Sequence, residues 1–428
     1  MTELIEAIVQ DYRQRTPASE QTWASAHTSI PGGFSQATRF FSPYPLYFQR
    51  MQGSQAQDLD GNWYTDYWLA ASANTLGHAH PTVLEAVRTQ LKEGCNFGMP
   101  NRHELEVAEL IIKLVPCAEK VKFVNSGMDA CMLGCRMARV YTGRPDIGVF
   151  EGHFHGWEDK LSIGHGSAEG VPAAVQKNIV VFPFNDIEAV AREIKRRDFA
   201  AIILEPYSTN CGAILTDREF LLELRRLCTE NDIVLIFDEV VTNFRFCVGG
   251  AQEYFGVTPD LVALGKPLAG GFTVVGALAG RSDIMEVSNH EREDGYVYYG
   301  VWMAPVVMAA ARTALQLIRD GRLIAEANRR GERIRSGLDE IFERRGIPAQ
   351  NVGIGSVTRT HFTKELILDL ASVRRANKEK LVNFHLGLIN RGHFILPGKN
   401  AYVSFVTTDE EIEKLLDDAE SVARLLRI

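Results

Sequence analysis

The chain of 428 residues contains no run approaching about 20 consecutive apolar residues, so no transmembrane span is expected. Its first stretch, "MTELIEAIVQDYRQR", mixes acids with apolar residues and has neither the basic start nor the apolar run of a secretory signal, which points to a cytoplasmic protein. Cysteine is sparse and unpaired in pattern: seven are scattered without a C-x-x-C pair, which favours reduced thiols over a disulfide framework. Positive charge is not in excess either. With 46 Lys+Arg against 54 Asp+Glu, the net charge of −8 excludes a general attraction to nucleic acid or anionic membrane and leaves room only for a local basic pocket. Internal repeats, low-complexity tracts and Pro/Ser linkers are also absent, so any boundaries must come from the order of elements.

That order is informative between about residues 70 and 320. The runs "VKFVNSG", "NIVVFPF", "AAIILEPY", "DIVLIFDEV" and "DLVALGK" read as strands, with amphipathic segments such as "DREFLLELRRLCTEN" between them. Continuous apolar strands alternating with helices predict an α/β protein with a mostly parallel sheet covered on both faces. Polar residues gather at the strand ends, namely Ser126, Glu205, Asp238 and Lys266, where open α/β sheets place ligands. After about residue 320 a long charged helix, the short strands "HFILP" and "AYVSFV", and an amphipathic tail follow. The expected organisation is a large domain over 71–320 and a smaller α+β domain built from 1–70 and 321–428.

Three positions carry candidate chemistry. Lys266 ends an apolar strand before "PLAGG", where a desolvated amine can attack a carbonyl; the bland alternative is a solvated loop lysine. Asp238 follows "IVLIF" and needs a cationic partner, either a protonated ring nitrogen or Arg245 of the same "DEVVTNFR" segment. Ser126 and Gly127 open a helix, where amide groups and the helix dipole attract phosphate, although Ser126 and Asp129 also fit simple helix capping. An amine for an aldehyde, an acid for a pyridinium and a cup for a phosphate together describe pyridoxal 5′-phosphate (PLP).

The text from "PGGFSQATRF" through "DLDGNWYTDY", "LGHAHP", "FVNSGMDA", "FEGHFHGW", "EPYSTNCG", "FDEVVTNFR" and "GGAQEYFGVTPDLVALGK" to "GALAGRSDIM" resembles class III aminotransferases of PLP fold type I. Within them it looks closest to the glutamate-1-semialdehyde aminomutase-like branch. The resemblance implies that Lys266 is the Schiff-base lysine and proton carrier and that Asp238 pairs with the pyridine nitrogen. It further implies that Val240 and Phe154 cover the two ring faces, that Asn210 approaches the phenolic oxygen, and that Ser126 with Gly127 holds the phosphate. His155 would orient the loop of Phe154, Trp157 would pack, and Arg39 would grip a substrate carboxylate through two parallel hydrogen bonds. The same resemblance makes His78 and His80 structural, with no metal site, and implies a homodimer with active sites at the subunit interface.

Departures from the pattern fall inside the expected site. Met128 replaces a threonine of the phosphate cup, and Val301, in the shortened "YYGVWMAP", stands where a threonine reaches across the dimer. Ala71 replaces a tryptophan of the aminomutase branch, which widens the substrate side, and "ILPGKNAYVSF" lacks that branch's glutamate. The leading expectation is therefore an aminotransferase acting between an amino acid or amine and a keto or aldehyde acceptor, with a carrier-tethered substrate left open. The alternative is a PLP-dependent isomerase, either an aminomutase or an amino-acid racemase. A homologue that binds without catalysis is a third possibility, supported only by the two missing threonines.

Overall fold

The computed structural model describes residues 2–426. Strands β1 (Phe48–Gln52), β2 (Gln55–Asp58) and β3 (Trp63–Asp66) form an antiparallel meander near the start of the chain. The central sheet follows, with β4 (Lys120–Val124), β5 (Asp146–Phe150), β6 (Ile179–Phe182), β7 (Phe199–Leu204), β8 (Val234–Asp238), β9 (Leu261–Leu264) and β10 (Gly276–Gly280). Beyond it lie β11 (Gln350–Val352), β12 (Val357–His361), β13 (His393–Phe394) and β14 (Ala401–Tyr402). Strand β13 joins β3 in parallel, so the two ends of the chain share one sheet, while β11, β12 and β14 form another. The long charged segment is the helix Arg322–Arg344, tied to the closing helix Asp409–Leu425 by Arg333–Glu413 and Arg345–Glu420 ion pairs.

The central order is β4-β10-β9-β8-β7-β5-β6, parallel except at β10, which runs antiparallel to both its neighbours. Alternation along each strand divides the core between the two faces of the sheet. Ile202, Leu204, Leu235 and Phe237 join one apolar cluster, and Ile203, Val234, Ile236 and Ala263 join the other. Burial on both faces explains why these strands read as continuous apolar runs. The strand "GALAG" was not legible as one because four of its five residues are glycine or alanine, small and weak β formers. The structure shows why they are small: a Cβ on Gly276 would collide with the carbonyl of Ser126, at the very turn that opens the next helix.

One buried cation ties the chain's distant parts together. Arg245, fully buried, does not meet Asp238. Its Nε donates to Ser72 Oγ (3.0 Å), its Nη2 to Ser72 O (2.6 Å) and its Nη1 to Val403 O (2.9 Å), with the guanidinium 5.5 Å from the Tyr402 ring centre. Burial pulls this guanidinium down to about 10, still charged at neutral pH. The segment it holds is unusual: Leu69, Ala70, Ala71 and Ser72 all have positive φ, between 50° and 81°, a conformation that costs non-glycine residues roughly 1–2 kcal/mol each. Arg245→Met removes the donors from two buried carbonyls and should destabilise the protein by about 3 kcal/mol. A thermal melt coinciding with that of the unaltered chain would show that this grip is dispensable.

Candidate functional site

The ends of β4, β7, β8 and β9 open into a cavity of about 1230 Å³ whose lining includes Ser126, Gly127, Met128, Phe154, His155, Asn210, Asp238, Val240, Lys266, Arg39 and Ala71. Eleven of the twelve residues singled out from the sequence are thus brought together. The twelfth, Val301, lies in an irregular segment before the helix Pro305–Ile318 and does not line its own chain's cavity.

Lys266 begins a short 3₁₀ turn, Lys266–Ala269, just past β9. Burial pulls its ammonium below the ordinary value for lysine, while the carboxylates of Glu205 and Asp238 partly oppose the shift. Its side chain makes no hydrogen bond or ion pair among the described residues, which rules out a structural salt bridge there and leaves the amine available for chemistry.

Asp238 ends β8 and is buried. Its Oδ2 takes a contact of 2.7 Å from His155 Nδ1, and its Oδ1 accepts from the Val240 N–H at 3.0 Å. His155 was expected to orient a loop; the structure instead pairs it with the carboxylate, and its buried Nε2 has no partner. Cys131 stands behind the pair, with ligand atoms of all three residues within 4.8 Å of one another. Burial pushes its thiol strongly up, so it stays protonated and can donate to the carboxylate. This contact was invisible in the sequence, since Cys131 and Asp238 lie 107 residues apart (238 − 131).

The expected phosphate cup falls at the start of the helix Gly127–Thr142. Ser126 caps it, its Oγ accepting from the Asp129 N–H at 3.2 Å, so the capping role considered from the sequence is real. The N–H groups of Gly127 and Met128 have no acceptor within the helix, because they belong to its first turn. Gly127 must be glycine here: a Cβ would run into the Val240 side chain. Met128 fills space against Gly156, whose φ of 107° turns the chain just after His155. That turn also throws Trp157 outward, leaving it 79% exposed in this chain rather than packed as expected.

Glu205, at the end of β7, supplies the scaffold that sequence reading noticed but gave no role. Its carboxylate accepts from Phe154 N (2.9 Å), Asn210 Nδ2 (2.9 Å), Thr209 N (3.0 Å) and Thr209 Oγ1 (2.8 Å). One buried acid therefore fixes both Phe154 and Asn210. His78 is structural, held between Asp66 (2.8 Å) and Asn74 (3.1 Å).

The donor set suits PLP. An available amine, a hydrogen-bonded carboxylate at a strand end, and free amide groups at a helix start line one cavity, and Gly127 leaves room for close approach.

The sequence pattern of the family "Aminotransferase class-III" matches residues 38–421. The glutamate-1-semialdehyde 2,1-aminomutase of Methanothermobacter thermautotrophicus is 40% identical over 417 residues, covering 94% of this chain and 98% of its own. That of Aquifex aeolicus is 34% identical over 417 residues, with 94% and 97% covered. Among solved structures, an omega-transaminase from Sphaerobacter thermophilus superposes with a TM-score of 0.91 at 32% identity, covering 96% of this chain and 98% of that one. A glutamate-1-semialdehyde aminomutase from Pseudomonas aeruginosa shares the fold, with a TM-score of 0.91 at 23% identity and coverage of 99% and 98%.

Met128→Thr restores one hydroxyl to the cup at the expense of contact with Gly156. A neutral hydrogen bond contributes about 1 kcal/mol, so the cofactor should bind roughly fivefold tighter. Equilibrium dialysis against PLP measures this, and weaker retention would mean that the packing of Met128 matters more than the hydroxyl.

Proposed function

Because the chain belongs to the class III aminotransferase family and shares its PLP-dependent fold type I, we propose that it moves an amino group within one small carboxylate-bearing substrate, as an aminomutase does. The observation that carries this reading is a cavity uniting Lys266, Asp238 and Arg39 in a chain similar over nearly its whole length to named 2,1-aminomutases. The leading expectation from the sequence was transfer between two substrates; similarity to these relatives favours its alternative, the isomerase. A specific observation keeps the aminotransferase as a second reading. Ala71, in the left-handed segment, leaves the substrate side open, and a transaminase is among the structures of the same shape at 32% identity.

When bound, PLP supplies an electron sink that acidifies the hydrogen on the carbon bearing the substrate's nitrogen. The protein's part follows from its groups. Lys266 Nζ, made easier to deprotonate by burial, would hold the cofactor through its aldehyde group with loss of water, and as a free amine could carry a proton between two substrate carbons. Asp238, held by His155 and the Val240 amide, would pair with the pyridine nitrogen and favour its protonated form. Ser126 and the amides of Gly127 and Met128 hold the phosphate. Asn210 and Phe154, both fixed by Glu205, border the ring, and Arg39 orients the substrate carboxylate. A homodimer is part of the same proposal, with Val301 facing the partner copy's site.

Two measurements test this reading. Lys266→Ala should abolish turnover and the imine absorbance of the holoenzyme; a variant retaining both would sink the assignment of the lysine. Amino-group movement in glutamate 1-semialdehyde should proceed with no added keto acid, and a strict requirement for such an acceptor would establish the aminotransferase instead.

A further inference from the structure

Three successive residues after β5 are each held by the end of another strand. Gly152 and Gly156, with φ of 76° and 107°, bracket them. Between these turns His153 Nδ1 accepts from the Glu205 N–H at 3.0 Å, the Phe154 N–H donates to the Glu205 carboxylate at 2.9 Å, and His155 Nδ1 lies 2.7 Å from Asp238 Oδ2. Both histidines are buried, with ring centres 6.0 Å apart and planes inclined at 68°. Phe184 and Phe150 pack around His153, at 4.5 Å and 5.7 Å between ring centres. On each histidine the other ring nitrogen, Nε2, is buried and has no hydrogen-bond partner among the described residues.

The bonds already made decide where the protons sit. A backbone N–H can only donate, so Nδ1 of His153 is its bare nitrogen and Nε2 carries the proton. Burial, and then the neighbouring His155, push His153 well below the ordinary histidine value, so it takes no second proton. On His155 the order is reversed: Nδ1 faces a carboxylate and carries a proton, which leaves Nε2 bare as long as the ring is neutral. One ring therefore keeps an unused donor and its neighbour an unused acceptor, in a place where an unpaired polar atom is costly. A second proton on His155 would set donor against donor and cancel much of the charge of Asp238. Around the pair stand the protonated Cys131 thiol, the Glu205 carboxylate already engaged by Phe154, Thr209 and Asn210, and Lys266.

We propose that His153 is a positioning residue for the amino-group movement: with its acceptor nitrogen spent on the Glu205 amide it offers His155 only an N–H, and so holds His155 as the neutral ring that donates to Asp238 without cancelling its charge. The assignment rests on the proposed pairing of Asp238 with the cofactor's pyridine nitrogen. Full negative charge on Asp238 is what favours a proton on that nitrogen.

Solid-state nitrogen-15 spectra of the holoenzyme, labelled in histidine, read these protons directly. At neutral pH His153 and His155 should each show one protonated and one bare nitrogen. Two protonated nitrogens on His155 would overturn the proposal. His153→Asn keeps an acceptor for the Glu205 amide but ends short of Nε2, whereas His153→Gln extends an N–H further. In the Asn variant His155 should bind its second proton about tenfold more tightly, so the acid limb of the kcat profile moves up by about one pH unit. The protonated fraction of a nitrogen-15-labelled pyridine nitrogen should fall with it, and the Gln variant should recover part of both. Signals of His155 and of the pyridine nitrogen unchanged in the folded Asn variant would equally overturn the proposal; should that variant not fold, the spectrum of the unaltered protein decides alone. Failure of the amino-movement reading looks different: the spectra are as expected, but no substrate turns over.

Discussion

The cavity depends on a guanidinium that never touches it as a reactant. Arg245 leaves the segment after β8, reaches Ser72 in the first part of the chain and Val403 near its end, and lies against Tyr402. These contacts hold four successive left-handed residues, Leu69 to Ser72, against their own preference for other conformations. Two of the four, Ala70 and Ala71, are cavity wall. Strain in the wall and a buried charge beside it meet at Ser72: the arginine has no carboxylate and is satisfied by the Ser72 hydroxyl and carbonyl together with the Val403 carbonyl.

A similar logic operates at the strand ends. Glu205 and Asp238 are buried acids at the ends of adjacent strands, β7 and β8; Glu205 is satisfied by the Phe154, Thr209 and Asn210 donors, and Asp238 by His155 and the Val240 amide. Lys266 is thereby left unpaired, yet close enough to feel both charges. Had either acid formed an ion pair with the lysine, the amine would stay protonated and unreactive. The hydrogen bonds from Thr209, Asn210, Phe154, His155 and Val240 therefore do more than fix positions, because they keep the carboxylates from claiming the lysine.

Much of this was legible in the sequence, for a physical reason. Strands buried on both faces must be continuously apolar, so "AAIIL" and "IVLIF" announce both the sheet and the point where Glu205 and Asp238 break it. The residues that escaped notice are those whose meaning lies in distant contacts. Strand β10 begins with a glycine because the Ser126 carbonyl presses on Gly276, and nothing within "GALAG" says so. Arg245 is seven residues from Asp238 and was a natural partner for it, but its true acceptors lie 173 and 158 residues away. His155 looked like a loop residue because its bond to Asp238 spans 83 residues.

Met128 shows how a substitution at a site can be absorbed by geometry. In the proposed cup, a methionine in place of a threonine would remove one neutral hydrogen bond, about 1 kcal/mol, from the phosphate's ligands. The cup itself does not rest on that hydroxyl. It rests on free amides of a helix start, on Ser126, and on the close approach of Gly127 to Val240, which a side chain at Gly127 would prevent. The methionine, meanwhile, packs against Gly156 and so supports the turn that follows His155, the partner of Asp238. Met128 thus offers no hydroxyl at the helix start where the phosphate is proposed to sit, and packs instead against the turn that follows His155. A cup that depends on backbone amides can tolerate that exchange, because amides remain wherever the helix begins.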